Sequence, residues 1–170
     1  MKGTTALILA IVVVLLLRST ALSAFAARGI VLDALAFATV LWALRHGASW
    51  GSSFGFALGL FADLDAAHWL GRHALALTLL GYAVGRLASI LVRESSRTQF
   101  VLIFFATAAH QTWAVAFEFS NWSAWPHVLA RVALASISSA VLGTAILWAA
   151  RRLSGQPLFG HASVQPGRIY

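Results

Sequence analysis

Six apolar stretches alternate with short polar breaks along the chain. They cover residues 4–17, 29–44, 49–62, 69–92, 100–119 and 128–150, and the first continues through small residues to residue 27. A transmembrane helix needs about 20 mostly apolar residues. The pattern therefore predicts an all-α fold, a polytopic membrane bundle of six transmembrane helices, in residues 1–152. Residues 153–170 follow as a short cytoplasmic tail.

The composition supports a membrane location for this bundle. Of the 170 residues, 60% are hydrophobic and only 10% are charged, whereas a soluble domain carries about 25% charged residues. So few charges cannot cover a surface that faces water. The chain also has no cysteine, which excludes disulfides, thiolate catalysis and cysteine-ligated metal sites.

The positive residues predict how the bundle is oriented. The net charge is +7, and the arginines stand at the ends of the apolar segments. With the N-terminus in the cytoplasm, eight Lys or Arg residues fall inside and four outside, as the positive-inside rule requires. Both termini are therefore predicted to be cytoplasmic. The excess charge indicates anionic lipid head groups rather than nucleic acid as its partner.

The first apolar stretch also has the features of a secretory signal. Lys2 gives a positive start, residues 6–17 an apolar core, and residues 24–26 a cleavage sequence of the Ala-x-Ala type. An uncleaved first transmembrane helix is the interpretation we favour.

A ridge of small residues marks the third segment. Gly51, Gly55 and Gly59 recur every four residues and end at Asp63, so on a helix they share one face. Each glycine weakens a helix by about 0.8–1.0 kcal/mol relative to alanine. Close approach of another backbone is the packing reason that we expect. That backbone belongs either to a helix of this bundle or to a partner protein.

Two further features belong to this packing prediction. Gly81 and Gly85 form a second pair at the same spacing in the fourth segment, which suggests that the third and fourth helices pack tightly. Phe56, together with Phe54 and Phe61, is expected to supply shape around a partner helix.

Only 14 residues, 49–62, precede Asp63 in the third segment, so either this span is short or it continues past Asp63 with a carboxylate inside the membrane. A charge in the hydrocarbon is costly unless it is paired or hydrated. Asp63 could pair with Arg72, His68 or His73, or it could cap a broken helix end by accepting backbone N–H bonds. A proton or substrate site is the functional alternative.

Other polar residues within the segments have similar interpretations. His110, Gln111 and Thr112 lie in the fifth segment, where hydrogen bonds to neighbouring helices are favoured over a ligand site. Asp33 stands in the first turn of the second segment, where a carboxylate suits a helix N-terminus, and Arg18 could pair with it. We expect structural roles for Asp63, Gly71, Arg72 and His110.

No sequence motif indicates an enzyme. The chain has no GxSxG, no P-loop, no GxGxxG after a strand and no HExxH. His68 and His73 are five residues apart, a poor spacing for joint metal ligation from one helix face. The sequence therefore predicts no catalytic residues, no metal and no cofactor.

The third and fourth segments resemble a known family. Residues 55–63 read GFALGLFAD, residues 70–75 read LGRHAL and residues 80–82 read LGY. These runs are similar to the G-F-x-x-G-L-x-x-D…L-G…A-L…G-Y pattern of the MreD family of bacterial rod shape-determining proteins. The closely matching part covers residues 51–86.

The resemblance implies a non-enzymatic scaffold in the bacterial inner membrane. Such proteins bind MreC, a single-span protein, and act in the cell-elongation complex beside RodA, a class B penicillin-binding transpeptidase and the MreB filament. Their fold is similar to that of the substrate-binding subunits of energy-coupling-factor transporters. The alternative function is therefore a substrate-binding subunit of a vitamin-type transporter, whose cavity would need Asp63, His110, Gln111, Thr112 and Trp113 as its lining.

Overall fold

Helices make up most of the described part of the chain. The computed structural model describes residues 2–17, 32–66, 70–91, 95–118 and 125–154, and these contain no strand. The helices are α1 (Lys2–Leu17), α2 (Ala34–His46), α3 (Ala48–Ala66), α4 (Arg72–Leu87), α5 (Ser96–Glu118) and α6 (Trp125–Ser154). The all-α prediction is thus confirmed for these residues. Arg18, residues 24–26, His68 and residues 155–170 lie outside them.

The helices differ in their capacity to cross a membrane. Within α5 and α6, Ser96–Ala116 and Trp125–Leu153 are long and apolar enough to do so. Thr5–Leu17 and Ala34–His46 are apolar but shorter. In the fourth predicted segment, residues 69–92, the described residues 70–91 are helical over the 16 residues of α4. The six-span arrangement therefore stays a prediction.

Two sharp connections separate the short helices. Asp33 caps α2, because its Oδ1 accepts a hydrogen bond from the Ala36 N–H at 3.0 Å. Gly47 joins α2 to α3 with a φ of 84°, and Gly71 precedes α4 with a φ of 96°. Glycine adopts this left-handed region without the steric cost that other residues have. The chain can therefore reverse direction within very few residues.

The backbones of α3 and α4 touch along an antiparallel contact. A Cβ added at Gly55 would overlap the carbonyl oxygen of Leu77, and one at Gly59 would lie 2.5 Å from the Ala74 Cα. On the opposite helix, a Cβ at Gly81 would lie 2.5 Å from the Gly51 carbonyl carbon. Gly85 similarly meets Gly47 and Ala48. Because α4 covers the ridge, a partner helix cannot occupy it in this structure.

Two apolar clusters hold the remaining helices together. The first cluster contains residues from each of α1, α2, α3 and α4: Ile11, Leu35, Ala38, Phe54, Leu58, Ala62 and Leu77. The second joins α2, α4, α5 and α6 through Val40, Ala43, Leu44, Val84, Ala88, Leu102, Ile103, Ala106, Ala140 and Leu147. Phe54 is buried and stacks on Trp42 with 4.7 Å between ring centroids. Phe56 differs, since it is 52% exposed and does not belong to either cluster.

The glycine contact gives a test of packing. We expect Gly55→Ala to lower the free energy of unfolding by about 1–3 kcal/mol, because the added methyl group must push the α4 backbone away. Such a loss corresponds to a fall in Tm of about 2–4 °C per kcal/mol for a chain of this size. Thermal unfolding in mild detergent measures it. Ala83→Leu, on the exposed face of α4, is the control, and equal Tm values for both variants would contradict the contact.

Candidate functional site

Four ionisable side chains are buried where α2 begins, α3 ends and α4 begins. Asp33, Asp63, His73 and His110 are each less than 9% exposed. Asp33 immediately precedes α2, Asp63 lies in the last turn of α3, His73 is in the first turn of α4, and His110 lies within α5. Buried ionisable groups are unusual and must be satisfied by partners.

Three side-chain contacts link three of these buried residues, together with Arg72, into a continuous chain. Arg72 Nη2 lies 3.1 Å from His73 Nε2, and His73 Nδ1 lies 3.0 Å from His110 Nε2. His110 Nδ1 in turn lies 2.6 Å from Asp33 Oδ2. We call Arg72, His73, His110 and Asp33 the polar chain. It ties α4 to α5 and α5 to the start of α2.

The donors and acceptors along the polar chain can be assigned in one direction. A guanidinium only donates, so His73 Nε2 accepts from Arg72 and the ring hydrogen of His73 is on Nδ1. That hydrogen is donated to His110 Nε2, which places the His110 hydrogen on Nδ1, where it is donated to Asp33. With one hydrogen on each ring, every contact has one donor and one acceptor.

The Asp33 residue also joins α5 and α6 to the polar chain. Its backbone N–H donates to the Ser139 hydroxyl of α6 at 2.9 Å. Gln111 Nε2 donates to its Oδ2 at 3.1 Å. Its other oxygen caps α2 through Ala36. The Asp33 carboxylate therefore fixes α2 and α5, and its backbone N–H adds α6.

Asp63 caps α4 from across the break between α3 and α4. Its carboxylate accepts backbone N–H bonds from Gly71 at 3.0 Å, His73 at 3.0 Å and Ala74 at 3.1 Å. These amides have no partner within the helix, and a negative charge there also suits the helix dipole. Trp113 adds a bond from its indole N–H to the Arg72 carbonyl at 3.1 Å. The start of α4 is thus held by α3 and α5 together.

The described side chains of the site are bonded to one another or to backbone amides. In the described residues, no group of three or more His, Cys, Asp or Glu side chains could hold a metal ion. Asp63, His110 and Gln111 are bonded within the chain. The transporter alternative needs these groups free to bind a substrate, so it has no support here.

Sequence reasoning missed the polar chain as a unit. It treated Asp33, Asp63 and His110 separately and considered His73 as a partner for Asp63 or, with His68, as a poor metal ligand pair. His73 and His110 are 37 residues apart and His110 and Asp33 are 77 apart, so no local spacing shows that they meet. Their positions within or beside apolar segments are the one signal that could have suggested it.

These features together define a class of protein. The helices present large apolar side chains outward, such as Leu9, Phe105 and Leu134 at 60% exposure or more, and they bury polar groups inside. This distribution is typical of a helical membrane protein.

A comparison with protein families agrees with this class. The family model for rod shape-determining protein MreD matches residues 2–124. The chain therefore belongs to the MreD family, a family of membrane proteins that determine rod shape, and the resemblance seen in the sequence is confirmed. Searches of curated proteins and of solved structures found no match.

The direction of the polar chain can be tested by nitrogen NMR. In spectra of histidine-labelled protein, we expect His73 and His110 to carry hydrogen on Nδ1 and none on Nε2. His73→Gln and His110→Gln assign the signals. Arg72→Leu should release the constraint on His73 and mix its tautomers, whereas Arg86→Leu at the other end of α4 should not. A hydrogen on Nε2 of either ring would show that the assigned direction is wrong.

The cap on α4 can be tested separately. We expect Asp63→Ala to lower the free energy of unfolding by about 2 kcal/mol or more, because a lost cap costs about 0.5–2 kcal/mol and buried amides are left unpaired. Hydrogen exchange at Gly71, His73 and Ala74 should accelerate. Asp63→Asn keeps one acceptor oxygen and should lose less. Unchanged exchange in Asp63→Ala would argue against the cap.

Proposed function

We propose that this protein is a non-enzymatic scaffold of the bacterial cell-elongation complex. It crosses the cytoplasmic membrane six times with both termini in the cytoplasm. There it binds MreC and links it to RodA, a class B penicillin-binding transpeptidase and MreB. Membership of the MreD family is the observation that carries this proposal.

The way in which the interior is filled supports a scaffold. The α3 and α4 backbones touch each other, and the buried carboxylates are bonded to backbone amides or to the polar chain. A protein built in this way has a fixed outer surface, and recognition by partners would use that surface. Such rigidity favours binding with little loss of conformational entropy.

The arginines support the proposed orientation. Arg45 and Arg86 stand in the last turns of α2 and α4, and Arg151 of α6 bonds Gln99 and Ser96 at the start of α5. The α3 start lies beside Gly85, near the end of α4. These helix ends form one basic side, which we call the arginine end, and the positive-inside rule assigns such a side to the cytoplasm.

The outer face of α3 and α4 is the surface that we propose for MreC. The glycine ridge is occupied by α4, so a partner helix must bind elsewhere. Six large apolar side chains of α3 and α4 are at least half exposed: Phe56, Phe61, Leu64, Leu75, Leu79 and Tyr82. Aromatic side chains contribute large contact areas at interfaces between proteins.

Co-purification in mild detergent tests this surface. We expect the double variant Phe56→Ala, Phe61→Ala to recover at least about 10-fold less MreC, equivalent to about 1.4 kcal/mol, with an unchanged Tm. Cells that carry it should lose rod shape. The control is Leu134→Ala, Ile137→Ala, which removes exposed side chains from α6. Full recovery of MreC by the Phe variant would refute this surface, and no recovery by wild type would refute the scaffold proposal.

A further inference from the structure

The helices of this bundle differ in length between their charged ends. In α6, 20 residues separate Arg131 from Arg151, or about 30 Å at 1.5 Å per residue. In α4, only 14 residues separate Arg72 from Arg86, or about 21 Å. The hydrocarbon of a bilayer is about 30 Å thick. The α6 helix therefore matches a full bilayer, and α4 is about 9 Å too short.

The other helices place the polar chain and the neighbouring Asp63 about 17–22 Å above the arginine end. His110 is 11 residues from Gln99 in α5, and Ser139 is 12 residues from Arg151 in α6, which gives about 17–18 Å. Asp63 is 15 residues from Ala48 in α3, or about 22 Å. Because Gln99 and Arg151 are in contact, these heights share one origin. The polar chain thus lies well within the thickness of a full bilayer.

The turn before α4 is the feature that hydrocarbon cannot accommodate. Leu70 and Gly71 are non-helical, and Leu70 is 72% exposed. Irregular backbone does not face lipid within the hydrocarbon, because polar groups without a protein partner need water; Asp63 bonds the Gly71 N–H, so this constraint falls on Leu70. Arg72 beside it is only partly buried. Water or lipid head groups must therefore reach this turn.

On the side of the bundle formed by α6, regular helix with exposed apolar side chains takes the place of an irregular turn. On α6, Leu134 and Ile137 are each at least 50% exposed, and they lie between Arg131 and Ser139, which contacts the polar chain. Leu134 is 17 residues from Arg151, which is about 26 Å, and Leu70 lies two residues beyond Arg72, which is about 21 Å from Arg86. The helical backbone of α6 can face hydrocarbon at Leu134, whereas the irregular backbone at Leu70 cannot.

We propose that the protein binds an asymmetrically thinned bilayer. Head groups and water reach down to the Leu70–Gly71 turn beside α3 and α4, while α5 and α6 contact hydrocarbon of full thickness. Bilayers adapt to short segments by thinning at a modest cost per ångström, and the proposal rests on the six-span arrangement described above. The partner of this surface is the outer leaflet of the lipid bilayer.

Thiol labelling tests the asymmetry, because the native chain has no cysteine. Leu70→Cys and Leu134→Cys are placed singly in the full-length protein and reconstituted in vesicles of 18-carbon phosphatidylcholine. A sulfonated maleimide, present on both sides, reacts only where water reaches the thiol. Each rate is divided by the rate for the same variant unfolded in detergent. We expect labelling of Leu70→Cys to be at least about 10-fold faster.

Equal labelling rates for the two thiols would overturn the proposal, whether both rates are low or both are high. If both thiols are protected, hydrocarbon surrounds the turn, and if both react, the bilayer is thin on all sides. Vesicles of 14-carbon lipid extend the test, since they should expose Leu134→Cys and change Leu70→Cys by less than about 2-fold. A large increase at Leu70→Cys would also count against local thinning. Since no partner is present, these outcomes are independent of MreC recovery.

Discussion

The structure depends on satisfying helix ends inside an apolar protein. Its α2, α3 and α4 helices are short, so their ends meet at the polar chain rather than in bulk water. Asp33 caps α2 and Asp63 caps α4. An unpaired backbone group in such surroundings costs several kcal/mol. The two carboxylates, together with His73 and His110, are what make short helices compatible with this environment.

The glycines of α3 allow α4 to approach closely enough for Asp63 to cap it. Asp63 can reach the amides of Gly71 and Ala74 only if α3 and α4 lie almost in contact, which Gly55 and Gly59 permit. A side chain at either glycine would separate the two backbones and withdraw the carboxylate from its donors. The ridge and the cap therefore act as one structural unit, and the ridge serves the fold rather than a partner.

The sequence predicted the positions of the described helices better than it predicted their ends. The apolar segments located all six helices, because burial in lipid or protein demands long apolar runs. Their ends were less accurate: α4 stops at Leu87, well before residue 92, and α6 begins at Trp125, before residue 128. Local polarity does not set these ends. Tertiary partners decide where a helix ends, as Asp63 does for α4.

The sequence by itself determined the all-helical character, the small-residue ridge and the MreD family, since each depends on residue type and local spacing. Only the tertiary structure decided that the ridge faces α4 and that Phe56 faces outward. It also brought His73, His110 and Asp33 together. The physical reason is that hydrogen bonds between helices depend on how helices rotate and pack. The order of residues along one helix does not contain that information.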